Sequence, residues 1–117
     1  MEAGIGTLTR IAEKDVDAVL VVVEATPKSL EVGSRAAALV TEKSLGRLIV
    51  VGNRVRGDAD LAAIQASFPG AEVVAVPDDP EIVKADRVGA APLDVAPDAP
   101  AVRSLVELGE QLLATLA

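Results

Sequence analysis

Three valine-rich runs, each followed directly by polar residues, constrain the fold of this chain more than any other feature. The runs are "AVLVVV" at 18–23, "RLIVVGN" at 47–53 and "AEVVAVP" at 71–77. β-Branched residues favour strands, and the first run, which has no polar alternation, is typical of a strand that is covered on both faces. Each run is far shorter than the roughly 20 residues that span a bilayer. The sequence therefore predicts buried strands in a soluble protein.

Helix signals follow the strands. Thr26-Pro27 and Asp79-Pro80 each place a capping side chain before a proline, which is well suited to the first helical position. The first of these helices is predicted to reach about Ser44 and to end at Gly46. Asp58 is predicted to cap a helix after the second strand.

Further helices are predicted at both ends of the chain. Ile5, Leu8, Ile11 and Ala12 recur at helical spacing before the first strand. A last helix, beginning near Asp98, carries one apolar stripe, with a Pro- and Ala-rich loop at 89–101 before it. The stripe consists of Val102, Leu105, Val106, Gly109, Leu112, Leu113 and Leu116. The order α-β-α-β-α-β-α-α predicts one three-layer α/β domain over residues 1–117, with a short parallel sheet of about three strands.

Composition excludes several kinds of chemistry. The chain has neither cysteine nor histidine, which removes disulfides, thiol nucleophiles, imidazole bases and nearly every zinc site. Its formal charge of −7 repels phosphate backbones and anionic lipid heads, so we expect binding neither to nucleic acid nor to membranes. The first residues, "MEAGIGTL", lack the features of a signal peptide, which predicts a cytoplasmic location.

The ends of the three strands form the candidate site. In an open parallel sheet, ligands bind beyond the carboxyl ends of the strands. Glu24 follows the first strand, Asn53 and Arg54 end the second, and Pro77-Asp78-Asp79 ends the third. The amide of Asn53 offers one donor and one acceptor in a plane, which matches the N6/N7 edge of adenine.

Each of these residues also has a purely structural interpretation. Asn53 can instead close its strand end by bonding its own backbone, and Arg54 can be a solvated charge. Asp78 and Asp79 can form a metal or acid–base pair, but Asp79 as a helix cap is the better interpretation. Glu24 has neither a nucleophile nor a second acid near it in the sequence, so we predict no catalytic residue.

Several segments together resemble the latter half of a deviant P-loop ATPase. They are "MEAGI", "VDAVLVVVEATPKSLEVGSRAAAL", "VVGNRV", "VAVPDDPEIVKADRVGAAPL" and the closing amphipathic helix. The resemblance is to the nickel-insertion ATPases of carbon monoxide dehydrogenase maturation (CooC type), within the septum-site and plasmid-partition (MinD/ParA) family. It covers nearly the whole chain and implies an α/β fold equal to half of a P-loop NTPase.

The resemblance also implies residue roles. In that family an Asn at this strand end reads adenine, so Asn53 is the expected base reader and Arg54 is expected to flank the nucleotide. The turn at Pro77 and Asp78 is expected to pack against the base. Glu2 and Gly4 resemble the remnant of the switch region beside the γ-phosphate.

The phosphate-binding part of such an ATPase is missing from the sequence. There is no G-x-x-x-x-G-K-[ST], hence no phosphate cradle and no hydroxyl for magnesium. We therefore expect weak ATP or ADP binding, Mg²⁺ only together with the missing half, and no ATPase activity by this chain alone. The cysteine pair expected for nickel is also absent, so no metal ligand is predicted.

Removal of the phosphate-loop half should expose the Ala18–Val23 edge strand. That edge predicts a homodimer or association with a separate amino-terminal half, with a metalloenzyme client as the further partner. The alternative is that the native protein carries a phosphate loop upstream. A different class of function, a non-catalytic interaction module that uses the same edge, also fits the sequence.

Overall fold

The computed structural model describes residues 17–116, which form a parallel sheet with helices on both sides. The elements follow the order β1 (Ala18–Val23), α1 (Pro27–Glu42), β2 (Arg47–Val55), α2 (Asp58–Ser67), β3 (Glu72–Pro77), α3 (Pro80–Arg87), α4 (Pro92–Val95) and α5 (Pro100–Leu116). The three described strands are parallel and lie in the order β1-β2-β3. This confirms the predicted α/β class and the short parallel sheet. The helix predicted from Ile5, and the residues Glu2 and Gly4, lie outside the described residues.

The core lies on both faces of the central strand β2. Val50 is fully buried and belongs to a cluster with Ile64 of α2, on the face that α1 also covers. Its neighbours Ile49 and Val51 point the other way and cluster with Leu108 of α5. Because successive side chains of a strand alternate between faces, a continuous apolar run is required where both faces are covered. The buried strand that the second run predicts is therefore confirmed.

The coverage of both faces that the first run predicts is not found for β1 within the described residues. Val21 and Val23 are buried against α1 and α2, but Leu20 and Val22 are 42% and 61% exposed. β1 lies at one edge of the described sheet, whereas α5 packs mainly over β3. One face of β1 is therefore open within the described part of the chain.

The ends of the helices differ from the prediction in two places. Thr26 caps α1 as predicted, with its side chain accepting from the Ser29 N–H. The helix ends at Glu42 rather than near Ser44, because Ser44 takes a left-handed conformation, φ 51°, and Leu45 N–H donates to the Val40 carbonyl. This is a Schellman motif, in which Ser44 occupies the left-handed position that is usually glycine.

Asp58 is not the cap of α2. Gly57 occupies the cap position without a side-chain hydrogen bond, and Asp58 is the first helical residue. Asp60 instead accepts from the Arg56 N–H. The acidic side chains of the first turn still suit the positive end of the helix dipole.

The predicted apolar stripe of α5 is only partly buried. Val102 is buried as expected, and so are Ala101 and Leu108, which the stripe did not include. The predicted members Leu105, Val106 and Leu113 are exposed. The segment 89–101, predicted as a loop, contains the four-residue helix α4. Among the described residues, no helix is both long enough and apolar enough to cross a membrane.

Candidate functional site

The polar strand exits meet at one edge of the sheet. The register pairs Val23 with Gly52 and Gly52 with Ala75, so the three strands reach the same edge together. The residues that follow in each strand are those that the sequence singled out. Arg54 joins the three exits, since its guanidinium lies 3.5 Å from Glu24 and 3.5 Å from Asp78.

A β-bulge in β2 places Asn53 and Arg54. The register changes from Gly52 opposite Ala75 to Val55 opposite Pro77, so two residues of β2 face a single residue of β3. Arg54 has φ 55°, in the left-handed region that non-glycine residues seldom adopt. Bulges of this kind redirect side chains at strand ends and occur often beside functional sites.

After the bulge, the end of β2 remains hydrogen-bonded to the residue that follows β3. The Asp78 N–H donates to the Val55 carbonyl at 2.9 Å, which fixes the turn that follows Pro77 against the end of β2. The two predicted halves of the site, the strand end with Asn53 and the proline turn, therefore adjoin each other.

A cavity of about 570 Å³ opens beside this turn. All four residues predicted to bind nucleotide line it: Asn53, Arg54, Pro77 and Asp78. The rest of the wall is mostly apolar and comes from β3, α3, the segment after it and α5. These lining residues are Val76, Asp79, Ile82, Val83, Asp86, Ala90, Pro92, Ala101 and Leu105. A concave, largely apolar site with a few polar groups at its mouth is typical of small-molecule binding.

The Asn53 amide makes no hydrogen bond with any of the residues that the structure describes. Its interpretation as a group that closes the strand by bonding its own backbone therefore has no supporting contact. Asn53 is half-buried and lines the cavity, so its donor and acceptor remain accessible to a ligand.

The Arg54 side chain is mostly exposed to solvent, but its guanidinium also contacts two carboxylates. Its side chain is 65% exposed, and both contacts to carboxylates are long for ion pairs. Such exposed pairs contribute about 0–1 kcal/mol each, so the two contacts orient the guanidinium more than they stabilise the fold.

Asp79 connects the two helices that wall the cavity. Its carboxylate accepts from the Glu81 N–H at 2.9 Å, which confirms the predicted cap of α3. The other carboxylate oxygen accepts from the Ala101 N–H of α5 at 3.1 Å. The sequence reasoning missed this second bond because its partner lies 22 residues away.

A second, smaller depression of about 120 Å³ lies on the other side of Arg54. Arg56 and Asp60 form an ion pair of 3.0 Å there, beside Glu24. The hydrogen bond from the Arg56 side chain lowers the pKa of the Asp60 carboxyl, and the same contact raises the pKa of Arg56. The sequence reasoning missed this pair, which the four-residue spacing near a helix start could have indicated.

A groove of about 650 Å³ at the opposite edge contains none of the predicted residues. It lies where β2 and β3 begin, at Leu48 and Glu72, beside the end of α1. Its polar lining residues are Ser34, Thr41, Glu42, Ser67 and Glu72. None of them follows the carboxyl end of a strand, where ligands bind in an open parallel sheet, so the 570 Å³ cavity with Asn53 is the better candidate. Within the described residues there is also no group of three or more acidic side chains that could hold a metal ion.

Comparison with known proteins gives one distant likeness. No protein-family model matches the chain. An uncharacterized ATP-binding protein of Methanocaldococcus jannaschii is 29% identical over 116 residues, which cover 95% of this chain and 43% of that protein. The chain thus spans less than half of the length of this relative.

Proposed function

We propose that the cavity beside Asn53 binds adenine nucleotides through the base. The observation that carries the proposal is the convergence of Asn53, Arg54, Pro77 and Asp78 on one cavity of about 570 Å³. In this arrangement the Asn53 amide pairs with the N6/N7 edge of adenine, and Pro77 packs against the ring. The distant relative is named an ATP-binding protein, which supports the same ligand class.

At a finer level, we propose that the chain is the base-binding part of a CooC-type or MinD/ParA-like ATPase. Support comes from the order of the motifs "VVGNRV" and "VAVPDDPEIVKADRVGAAPL" and from their positions at two adjoining strand exits. Hydrolysis of ATP, a role for Mg²⁺ and nickel insertion into carbon monoxide dehydrogenase are proposals for the whole protein. The chain itself carries no phosphate-loop motif and is expected to be inactive alone.

A titration with ATP and GTP tests base recognition. Contacts to the base alone provide a few kcal/mol, so we expect ATP to bind with a dissociation constant of about 1 mM, with GTP weaker. Chemical-shift changes in NMR spectra measure such affinities and also locate the ligand. Micromolar affinity, or equal binding of ATP and GTP, would contradict the proposal.

Asn53→Ala provides the residue-level test. A bidentate amide–adenine pair contributes about 1–3 kcal/mol of discrimination, so this variant should lose the preference for ATP over GTP. Gln65→Ala is the matched control, because it removes an exposed amide from α2, away from the cavity. An unchanged preference in Asn53→Ala would refute the assigned role.

We also propose an interaction role for the β1 edge, as a function of a different class. Within the described sheet β1 pairs with β2 alone, and Leu20 and Val22 are exposed on its open face. Unpaired backbone groups beside apolar side chains favour pairing with another chain. The expected occupant is a second copy of the chain, or a separate amino-terminal half, with a metalloenzyme as a further client.

Light scattering at high protein concentration tests this second role. We expect dimers in the wild type and monomers in Val22→Lys, since an exposed lysine on an edge strand opposes pairing. Val88→Lys, which changes an exposed valine on the loop after α3, is the control. A wild type that stays monomeric would remove the homodimer.

A further inference from the structure

We infer that the cavity of this chain selects uncharged adenine nucleosides over phosphorylated ones, an inference that rests on the proposed adenine recognition. The ligand class that fits the site is then adenosine, with ATP as the weaker ligand. Three observations at the carboxyl edge of the sheet lead to this order of affinities.

The first observation is the charge of the cavity wall. Among the residues that the structure describes, its ionisable lining is one arginine, Arg54, and three aspartates, Asp78, Asp79 and Asp86, a formal balance of −2. The remaining lining is apolar or carries the neutral amide of Asn53. A neutral base and ribose can enter such a site, whereas a polyphosphate meets net repulsion at close range.

The second observation is that both arginines found at this edge among the described residues already have carboxylate partners. Arg54 lies between Glu24 and Asp78, and Arg56 pairs with Asp60. A phosphate that approaches either guanidinium must compete with a carboxylate that is already in place. Neither arginine is therefore a free phosphate-binding group.

The third observation concerns backbone N–H groups, which bind phosphate at many helix N-termini. At the starts of α1 and α3, side chains of the chain itself take part of these groups, whereas α2 starts at Gly57 without a side-chain cap. The Ser29 N–H donates to Thr26, and the Glu24 N–H donates to the Ser29 hydroxyl. The carboxylate of Asp79 holds the N–H groups of Glu81 and Ala101.

The experiment compares adenosine, AMP and ATP on the full 117-residue chain by NMR titration, without divalent cations. We expect adenosine to bind tightest and ATP about tenfold more weakly, with shifts around Asn53 for each. Raising the salt concentration screens repulsion, so ATP binding should strengthen with salt while adenosine binding stays constant. Attraction of phosphates to cationic groups would give the opposite salt dependence.

A charge variant makes the test specific to this edge. Glu24→Gln removes one of the two carboxylates that hold Arg54 and should strengthen ATP binding about threefold, without a matching gain for adenosine. Glu42→Gln makes the same change in net charge at the exposed end of α1, beside the opposite groove, and should leave the ratio unchanged.

The possible results separate the two proposals. Adenosine binding with weaker, salt-strengthened ATP binding supports the inference. Tighter binding of ATP than of adenosine overturns it and leaves base recognition standing. Failure of both ligands to bind overturns the inference together with the proposed function.

Discussion

Asp79 is the residue whose replacement should destabilise this fold most for its size. It is 7% exposed, and its two oxygens accept hydrogen bonds from Glu81 in α3 and Ala101 in α5. Loss of the cap on α3 costs about 1 kcal/mol. Loss of the second bond leaves the Ala101 N–H, in a residue that is 1% exposed, without a partner, which costs about 1–3 kcal/mol. Asp79→Ala should therefore lower the free energy of unfolding by about 2–4 kcal/mol.

Urea unfolding followed by circular dichroism measures this loss. Asp78→Ala is the matched control, because the carboxylate of the neighbouring aspartate is exposed and its contact among the described residues is a long ion pair with Arg54. It should change stability by less than about 0.5 kcal/mol. Asp79→Asn keeps one acceptor oxygen, so its free energy of unfolding should lie between those of Asp79→Ala and Asp78→Ala. If Asp79→Ala and Asp78→Ala were equally stable, the account of Asp79 as the link between α3 and α5 would be refuted.

Three further changes test other parts of the structure. Gly33→Ala should lower the free energy of unfolding in urea by about 1–3 kcal/mol, because the added Cβ would contact Val23 too closely. This loss should exceed the gain from the better helix propensity of alanine. An increase in stability would contradict the tight packing of α1 on β1. Asp60→Asn should lower the melting temperature at neutral pH. Because Arg56 lowers the pKa of Asp60 below its ordinary value of 3.8, the difference in melting temperature between wild type and variant should persist above pH 3.8 and vanish as the pH falls through the lowered pKa. A difference in melting temperature that is independent of pH would exclude the charge of Asp60 as its source. Arg54→Gly should leave the free energy of unfolding within about 1 kcal/mol, since relief of the positive φ offsets two exposed ion pairs; a larger loss would show that the pairs stabilise the fold.

Much of the fold could be predicted because local signals and the global pattern agree. The capping residues Thr26 and Asp79 stand before prolines, and the structure places a helix start at each. The strand runs are the least ambiguous part of the sequence, since β-branched residues at this density favour strands. The apolar pattern cannot show which strand is central, however, so the first run predicts coverage on both faces although β1 lies at an edge of the described sheet.

The errors arise where long-range geometry decides. Ser44 ends α1 because the chain turns there to bury Leu45, a packing effect that propensity does not show. The predicted stripe of α5 includes Val102 and Leu112, which pack inward, but also Leu113, which is exposed. The helix is turned so that Ala101 and Leu108, outside the predicted stripe, also face the core. Helical periodicity gives the width of an apolar face and leaves its orientation to the neighbouring elements.

The candidate site could be predicted only in part. Topology alone brings Glu24, Asn53 and Asp78 to one edge, since parallel strands end on the same side. The remaining wall depends on α3 and α5, whose approach is set by Asp79 through a bond between distant residues. Asp86 and Leu105 therefore line the cavity although no sequence signal marks them as site residues, Leu105 being predicted only as part of the apolar stripe of the last helix.

The bulge in β2 gives a reason for a functional site at Asn53 that is independent of any resemblance. A left-handed, non-glycine residue costs about 1–2 kcal/mol, and a regular strand would avoid this cost at Arg54. Regular pairing would also turn Asn53 to a different position relative to Val76 and the cavity. Strain of this kind persists chiefly where the redirected groups are used. The Asn53 amide, which has no partner among the described residues, and the strained backbone of Arg54 thus mark two adjacent residues, which makes the end of β2 the position where a ligand should be sought first.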